Sequence, residues 1–512
     1  MSISHNLSDA IKAWTEVLNS ENVITDEQAL ISAQTATFAT TQSVSAIIKP
    51  STREEVQDCV IIANKYQVPL YPISTGKNWG FGSRVPPIDG GVIISLDRLN
   101  RILDFNEKLA YITVEPGVTY NQVYKFLQEN KSNLTSTCPG STLDASLIGN
   151  ALERGYAGAL NGEKWSQVCG LEVVLPSGKC IHTGLERFPI AKASKVFAWG
   201  VGPSLDGLFS QSNLGIVTKL TLWLTPLPKF CEYLSFSIND ARKLSRLIDK
   251  LQLLKRDAVI DTACGLYNCY KVLTTFQQYP WDKTEGKTPL SEELLRELLE
   301  PFQGAVWFGG TIVVAPNDEI GRMKRQLVHQ MLSDSVDLIT FETSNSENPL
   351  IEASLHTELA SVYWRKSFLP PDQMDPDRDK CGAIWCSLVV PFIGAAVDDS
   401  LKIVTETMAF FNFEPIISIL CPSIRIVYII ASIIYDRQRQ GQDKAAMTCH
   451  NLMIQKLTSE GFIPHRLGIQ AMNALPDSID DYVNLLKDLK NTMDPADILA
   501  PGRYDFRHEW TE

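Results

Sequence analysis

The feature that most restricts this chain is the apolar run PIISILCPSIRIVYIIASIIY from Pro415 to Tyr435. Its length suits a helix crossing a bilayer. Its residues argue otherwise. Pro422 removes a backbone donor inside the run, and Arg425 follows it. Ile and Val dominate, and β-branched side chains favour strands. The run predicts two buried strands joined by a turn, inside a globular core. At 512 residues, 44% of them hydrophobic and 21% charged, the chain is globular and too long for one core, so two or three lobes are expected.

A formal charge of −12 argues against nucleic acid or an anionic membrane as the main partner. The stretch from Met1 to Asn22 is polar and does not read as a secretory signal. The eleven cysteines contain no CxxC or CxxCH spacing. That disfavours a metal site or an attached haem and suggests a reducing, cytoplasmic setting.

A second stretch carries the chemistry. PISTGKNWGFGS, Pro72 to Ser83, follows the apolar lead Val68–Tyr71 and holds Gly76, Gly80 and Gly82. Glycines let backbone approach a ligand, and successive N–H groups form a concave anion site to which Lys77 adds charge. Around it, short strands and helices alternate: a strand over Val44–Ile48, a capped helix from Ser51 to about Tyr66, a strand over Val68–Ile73, and Gly91–Asp97 as a buried strand. A hairpin follows over Leu103–Val114, then a helix over Thr119–Glu129, and a second hairpin turns at Pro176–Gly178. The pattern is α+β. No GxGxxG with a following acidic residue is present, so NAD binding is unsupported.

Six blocks occur in order: Gly76-KNWGFGS, Val114-EPGVTY, Gly149-NALERG, Gly170-LEVVLPSG, Asp206-GLFSQSNLGIVTK and Asp494-PADILAPGR. Together they resemble the vanillyl-alcohol oxidase/p-cresol methylhydroxylase group of flavoproteins. The resemblance implies a two-part PCMH-type FAD-binding domain, residues 1–228 completed by 463–512, and an antiparallel-sheet cap over 229–462. It implies FAD as cofactor. FAD would be held by Ser74, Thr75, Gly76, Lys77, Asn78 and Gly80, by Pro139, Ser141, Ser146, Gly149 and Asn150, and by Gly215 and Val217. Arg503 would lie near the flavin.

Many members tether FAD covalently. The histidine pair of their cap strand falls here on Tyr428-Ile429, so Tyr428 is one candidate link, and Cys138 is another; non-covalent FAD is expected. The phenolate site of the group, two tyrosines and an arginine, falls on Phe81, His465 and Arg466. One donor is lost, one becomes an imidazole and the cation stays. Asp144 is the candidate carboxylate near the flavin; without it, His465 becomes the leading base. The expected activity is FAD-dependent transfer of hydride from a small aromatic, benzylic or allylic alcohol or an alkylphenol-like substrate. Oxidation of a hydroxy acid or specialised-metabolite intermediate held through its carboxylate is the alternative, as is a flavin-binding subunit without turnover. Oxygen or an electron-carrier protein would take the electrons. A homodimer stays open.

Overall fold

A computed structural model of the protein describes residues 2–156, 162–343 and 357–505. The first sheet comprises β1 (Val23–Ile24), β2 (Val44–Ile48), β3 (Leu70–Ile73) and β4 (Gly91–Ser95) in the order β1-β2-β4-β3. β2 and β3 both run parallel to β4. The crossover from β2 to β3 is the helix Arg53–Tyr66, which buries Val56, Cys59, Val60 and Ala63 at helical spacing. Thr52 caps it by accepting from the Glu55 N–H, while the Glu55 carboxylate reaches back to the N–H of Ser51 at 2.6 Å. The helix stops at Gln67, which turns left-handed at φ 55°. β3 then delivers the Gly-rich loop at its carboxyl end, the end of a parallel strand at which open α/β sheets bind ligands.

The second sheet, antiparallel throughout, contains β5 (Ile102–Asn106), β6 (Tyr111–Val114), β8 (Val168–Val174), β9 (Cys180–His182) and β10 (Ile216–Trp223), ordered β5-β6-β10-β8-β9. A short pair, β7 (Leu134–Thr135) and β11 (Thr225–Pro226), closes its rim. Helix Tyr120–Glu129 starts with a full Thr119–Gln122 capping box and buries Val123 and Leu127 in the core of this sheet.

The remaining strands build a third sheet: β12 (Phe230–Ile238), β13 (Cys264–Asn268), β14 (Trp307–Ala315), β15 (Leu338–Thr343), β16 (Cys381–Pro391), β17 (Ile416–Cys421) and β18 (Ile426–Asp436). Every neighbouring pair is antiparallel, in the order β15-β12-β14-β13-β17-β18-β16. The apolar run is therefore β17 and β18, turning at Pro422. Alternation along a strand sends its side chains to opposite faces. Ile417, Ile419, Ile429 and Ala431 join Leu251, Val397, Val404 and Met453 in one core with the covering helices. Ser418, Leu420, Ile430 and Ser432 point the other way, into a cavity. The architecture is α+β, a lobe built on the first two sheets under an antiparallel cap. Among the described residues no helix is long and apolar enough to cross a membrane.

After the cap the chain returns to the first sheet. Leu499 bridges Leu70 in parallel, with the Leu70 N–H donating to Ile498 (2.7 Å) and the Ala500 N–H to Leu70 (2.8 Å). Buried Lys490 fixes this return by donating to Asp494 and to the carbonyls of Asn213 and Leu499.

Candidate active site

The Gly-rich loop, the segment 139–153, the start of β10 and the inner face of the cap sheet enclose one cavity of about 770 Å³. That volume falls within the usual range for ligand and cofactor sites. Ser74, Thr75, Gly76, Lys77 and Asn78 line it together with Pro139, Ser141, Ser146, Gly149, Asn150, Gly215, Val217 and Arg503. Two glycines there owe their identity to close approach. A Cβ on Gly149 would lie 2.6 Å from Ser74 Oγ. A Cβ on Gly80 would lie 2.2 Å from the Trp385 indole, at a φ of +76° that L side chains rarely adopt. Gly80 is thus a packing point between loop and cap rather than a lining residue. Lys77 lies 4.0 Å from Asp375 and 5.1 Å over the Trp79 ring, so its charge is partly answered within the protein.

The charged centre is a triad legible only in three dimensions. Glu153 accepts from Arg503 Nη2 at 2.7 Å and lies 3.7 Å from Arg466 Nη2. Burial alone would raise the Glu153 pKa, but Arg503 and then Arg466 outweigh it and hold the carboxyl below its ordinary value. Burial opposes the charge on Arg503, and Glu153 overcomes that, raising its pKa. Burial lowers the pKa of Arg466 despite Glu153. Arg466 also donates to Asn78 Oδ1 at 2.7 Å and sits 4.1 Å over the Phe81 ring. Its Nε is buried and has no hydrogen-bond partner among the described residues. A buried donor without an acceptor is costly, and this one belongs to a side chain that lines the cavity.

His465 lines the same wall. Its backbone N–H donates to the Ser387 carbonyl, its Nδ1 is 2.9 Å from Ser387 Oγ, and its ring stacks on Tyr428 with centroids 4.3 Å apart. Burial, followed by the nearby Arg466 charge, pushes its pKa down to about 3. The imidazole is neutral at neutral pH. A shift of this size makes it a weaker base than an ordinary imidazole, against the role of proton carrier expected for it. A second correction concerns Asp144: it is exposed and outside the cavity wall, because the tight turn that begins at Thr142 carries it to the surface.

Phe81 is buried and lines the cavity, as its position in the loop implies. Neither candidate flavin link does. Burial, and then its hydrogen bond to Glu163 at 2.7 Å, raises the pKa of Tyr428, and Cys138 is buried in the core of the second sheet. Glu153, Trp385 and Thr37 are site-building residues that the sequence did not single out. Glu153 lies within the Gly149-NALERG block, but its partners are far along the chain. Thr37 accepts from the Gly80 N–H at 3.0 Å and donates to the Ala383 carbonyl at 2.7 Å, tying loop to cap.

A family profile described as "FAD binding domain" matches residues 44–184. Over 98% of its length, and 98% of the relative's, the chain is 42% identical to the 1'-carboxy-chondrochloren decarboxylase of Chondromyces crocatus. It is 25% identical to the 4-cresol dehydrogenase [hydroxylating] flavoprotein subunit of Pseudomonas putida, covering 96% of this chain and 94% of that one. The chain belongs to the p-cresol methylhydroxylase type of FAD-linked oxidoreductases. The crystal structure of p-cresol methylhydroxylase with substrate bound superposes with a TM-score of 0.90 at 23% identity, covering 99% of this chain and 98% of that chain. As a member of this family the protein is an enzyme and its cofactor is FAD. The cavity fits that cofactor: it is of dinucleotide size, floored by a glycine loop, and narrowed at Gly149 so that backbone forms the wall there.

Proposed function

We propose that this FAD-linked oxidoreductase acts on a small molecule bearing a carboxylate, and that oxidation expels the carboxylate as CO2. The observation that carries this reading is the charge pattern of the cavity wall. Among the described lining residues Glu153 is the only carboxylate, and two arginines occupy it. His465, with its pKa near 3, is a poor base. A phenol has to lose its proton to become a good hydride donor, and Phe81 gives its oxygen no hydrogen bond. A carboxylate arrives already ionised and needs no base. Arg466 offers it a buried Nε that has no partner among the described residues.

When bound, FAD supplies the acceptor for a hydride equivalent. Ser74 to Asn78, Ser141 to Asn150, Gly215 and Arg503 would hold it, in a lobe comprising residues 1–228 and 463–512 under a cap of 229–462. In the substrate, a hydride equivalent leaves the carbon next to the one bearing the carboxylate. The bond to the carboxylate breaks, its electron pair becomes the new C=C bond, and CO2 departs, so charge and electrons balance. The 42% identity to a protein named as a decarboxylase of a 1'-carboxy compound supports this reading. We infer further that FAD is held without a covalent bond, since Tyr428 and Cys138 lie outside the cavity wall. Oxygen or an electron-carrier protein takes the electrons.

A second reading, oxidation of a benzylic or allylic alcohol or alkylphenol, is favoured by the retained Arg466 and the likeness to 4-cresol dehydrogenase. Anaerobic mixing with matched substrates, with and without the carboxylate, separates the two. Bleaching of the flavin absorbance with stoichiometric CO2 is expected only from the carboxylated set. Equal bleaching by carboxyl-free alkylphenols would overturn the proposal, and no bleaching by either set would favour a subunit without its own turnover.

A further inference from the structure

The Gly-rich loop is gripped from outside the FAD lobe by one buried carboxylate. Asp377, just ahead of β16 and 3% exposed, accepts from Trp79 Nε1 at 3.1 Å and from Ser83 Oγ at 2.8 Å. Trp79 and Ser83 both line the cavity and flank Gly80 and Phe81. The loop needs holding. Gly80 and Gly82 sit at φ +76° and +114°, and Ser83, which is not a glycine, sits at +54°. Internal bonds close only part of it: the Phe81 and Ser83 N–H groups both donate to the Asn78 carbonyl.

We propose that Asp377 is a positioning residue for FAD: by fixing Trp79 and Ser83 it holds the cofactor loop in its binding conformation, so that a cap-side carboxylate sets FAD affinity. A carboxylate is a poor choice for stability here. Burial, against the hydrogen bond from Ser83, raises its pKa to about 6, with Asp375 adding to the rise and Arg84 and Trp79 opposing it. Only an ionised carboxylate offers two full acceptor oxygens to two donors. An asparagine would fit the same space at lower desolvation cost but would keep one acceptor. The carboxylate therefore costs the fold stability while serving the loop, as functional groups commonly do.

The inference rests on non-covalent FAD, which is checked separately: acid precipitation leaves the flavin colour in the supernatant, and a yellow pellet would overturn that reading alone. The test itself uses the full chain stripped of FAD, with Asp377→Asn and Trp79→Phe. FAD titration, followed by flavin fluorescence, is expected to give a Kd raised about tenfold in each variant, and no further in the double variant. The melting temperature of the FAD-free Asp377→Asn chain is expected to be unchanged or higher, which a purely structural carboxylate would not give. Wild-type affinity is expected to fall as pH drops through about 6, where protonation takes one acceptor, while Asp377→Asn stays flat over that range. The other ionisable groups facing Asp377 are Asp375, with Lys77 beyond it, Arg84 and Cys381. None of them becomes a substitute acceptor for Trp79 on titration. An unchanged Kd, or a parallel loss of melting temperature and affinity, would overturn the proposal. Should Asp377→Asn not fold, the same Kd shift in Trp79→Phe supports the proposal and an unchanged one overturns it.

Discussion

Replacing Glu153 by Gln keeps its shape and one acceptor for Arg503 but removes the charge that two buried arginines share. At 2.7 Å and 3.7 Å the attractions are each several kcal/mol at an effective dielectric near 20, before the mutual repulsion of the arginines is subtracted. Removing one partner of a buried pair costs about 3–5 kcal/mol, and the amide recovers part of this through its remaining hydrogen bond. We expect a loss of about 2–4 kcal/mol at pH 7, a drop of several degrees in melting temperature. The Glu153 pKa is depressed in the folded chain, so its contribution is present above the ordinary carboxylate range and is lost as pH falls through the folded value. Melting curves of the FAD-free chain across pH would therefore diverge between wild type and Glu153→Gln at neutral pH and converge in acid. Arg466, freed from Glu153, should also bind a simple carboxylate such as benzoate more tightly. A variant as stable as wild type at pH 7, or a gap that persists undiminished in strong acid, would show that the two arginines do not depend on this charge.

Gly80→Ala places a Cβ against the Trp385 indole at a left-handed φ, and should cost more than about 2 kcal/mol together with much of the FAD content, read as the ratio of flavin to protein absorbance. Phe81→Tyr restores a phenolic donor beside Arg466 and should raise turnover of para-alkylphenols relative to carboxylated substrates by about tenfold, measured as a ratio of kcat/KM. Because the His465 pKa is near 3, the pH profile of kcat/KM should show no inflection from this residue between about 5 and 8; an inflection near 6.5 that disappears in His465→Gln would contradict its assigned neutrality.

What the sequence disclosed was local. Pro422 and Arg425 inside an Ile-rich run marked two strands rather than a span, and β17 and β18 turn there. The Gly-rich loop was legible as a close-approach segment: Ser74 to Trp79 line the cavity, while Gly80 packs on the cap. The helix Leu244–Arg256 was also legible, since Leu244, Leu247, Ile248, Leu251 and Leu254 keep helical spacing, but it was not singled out. Contacts across long separations were out of reach. Glu153 meets Arg503 where the chain returns to its first lobe after the cap, Trp79 meets Asp377 where loop and cap dock, and neither pair has a local signature. Asp144 misled because its distance along the chain says nothing of the turn that faces it outward. Likewise, reading His465 as a proton carrier required its solvation, which only packing determines.

The parallel bridge between Leu70 and Leu499 has a temporal consequence. The seven described cap strands lie within one continuous stretch, 230–436, and can condense while the chain is still being synthesised. The strand that carries the cofactor loop is flanked on its open edge only once residues 498–500 exist. The edge of the cofactor-loop strand is therefore completed by a segment that is synthesised only after the whole cap.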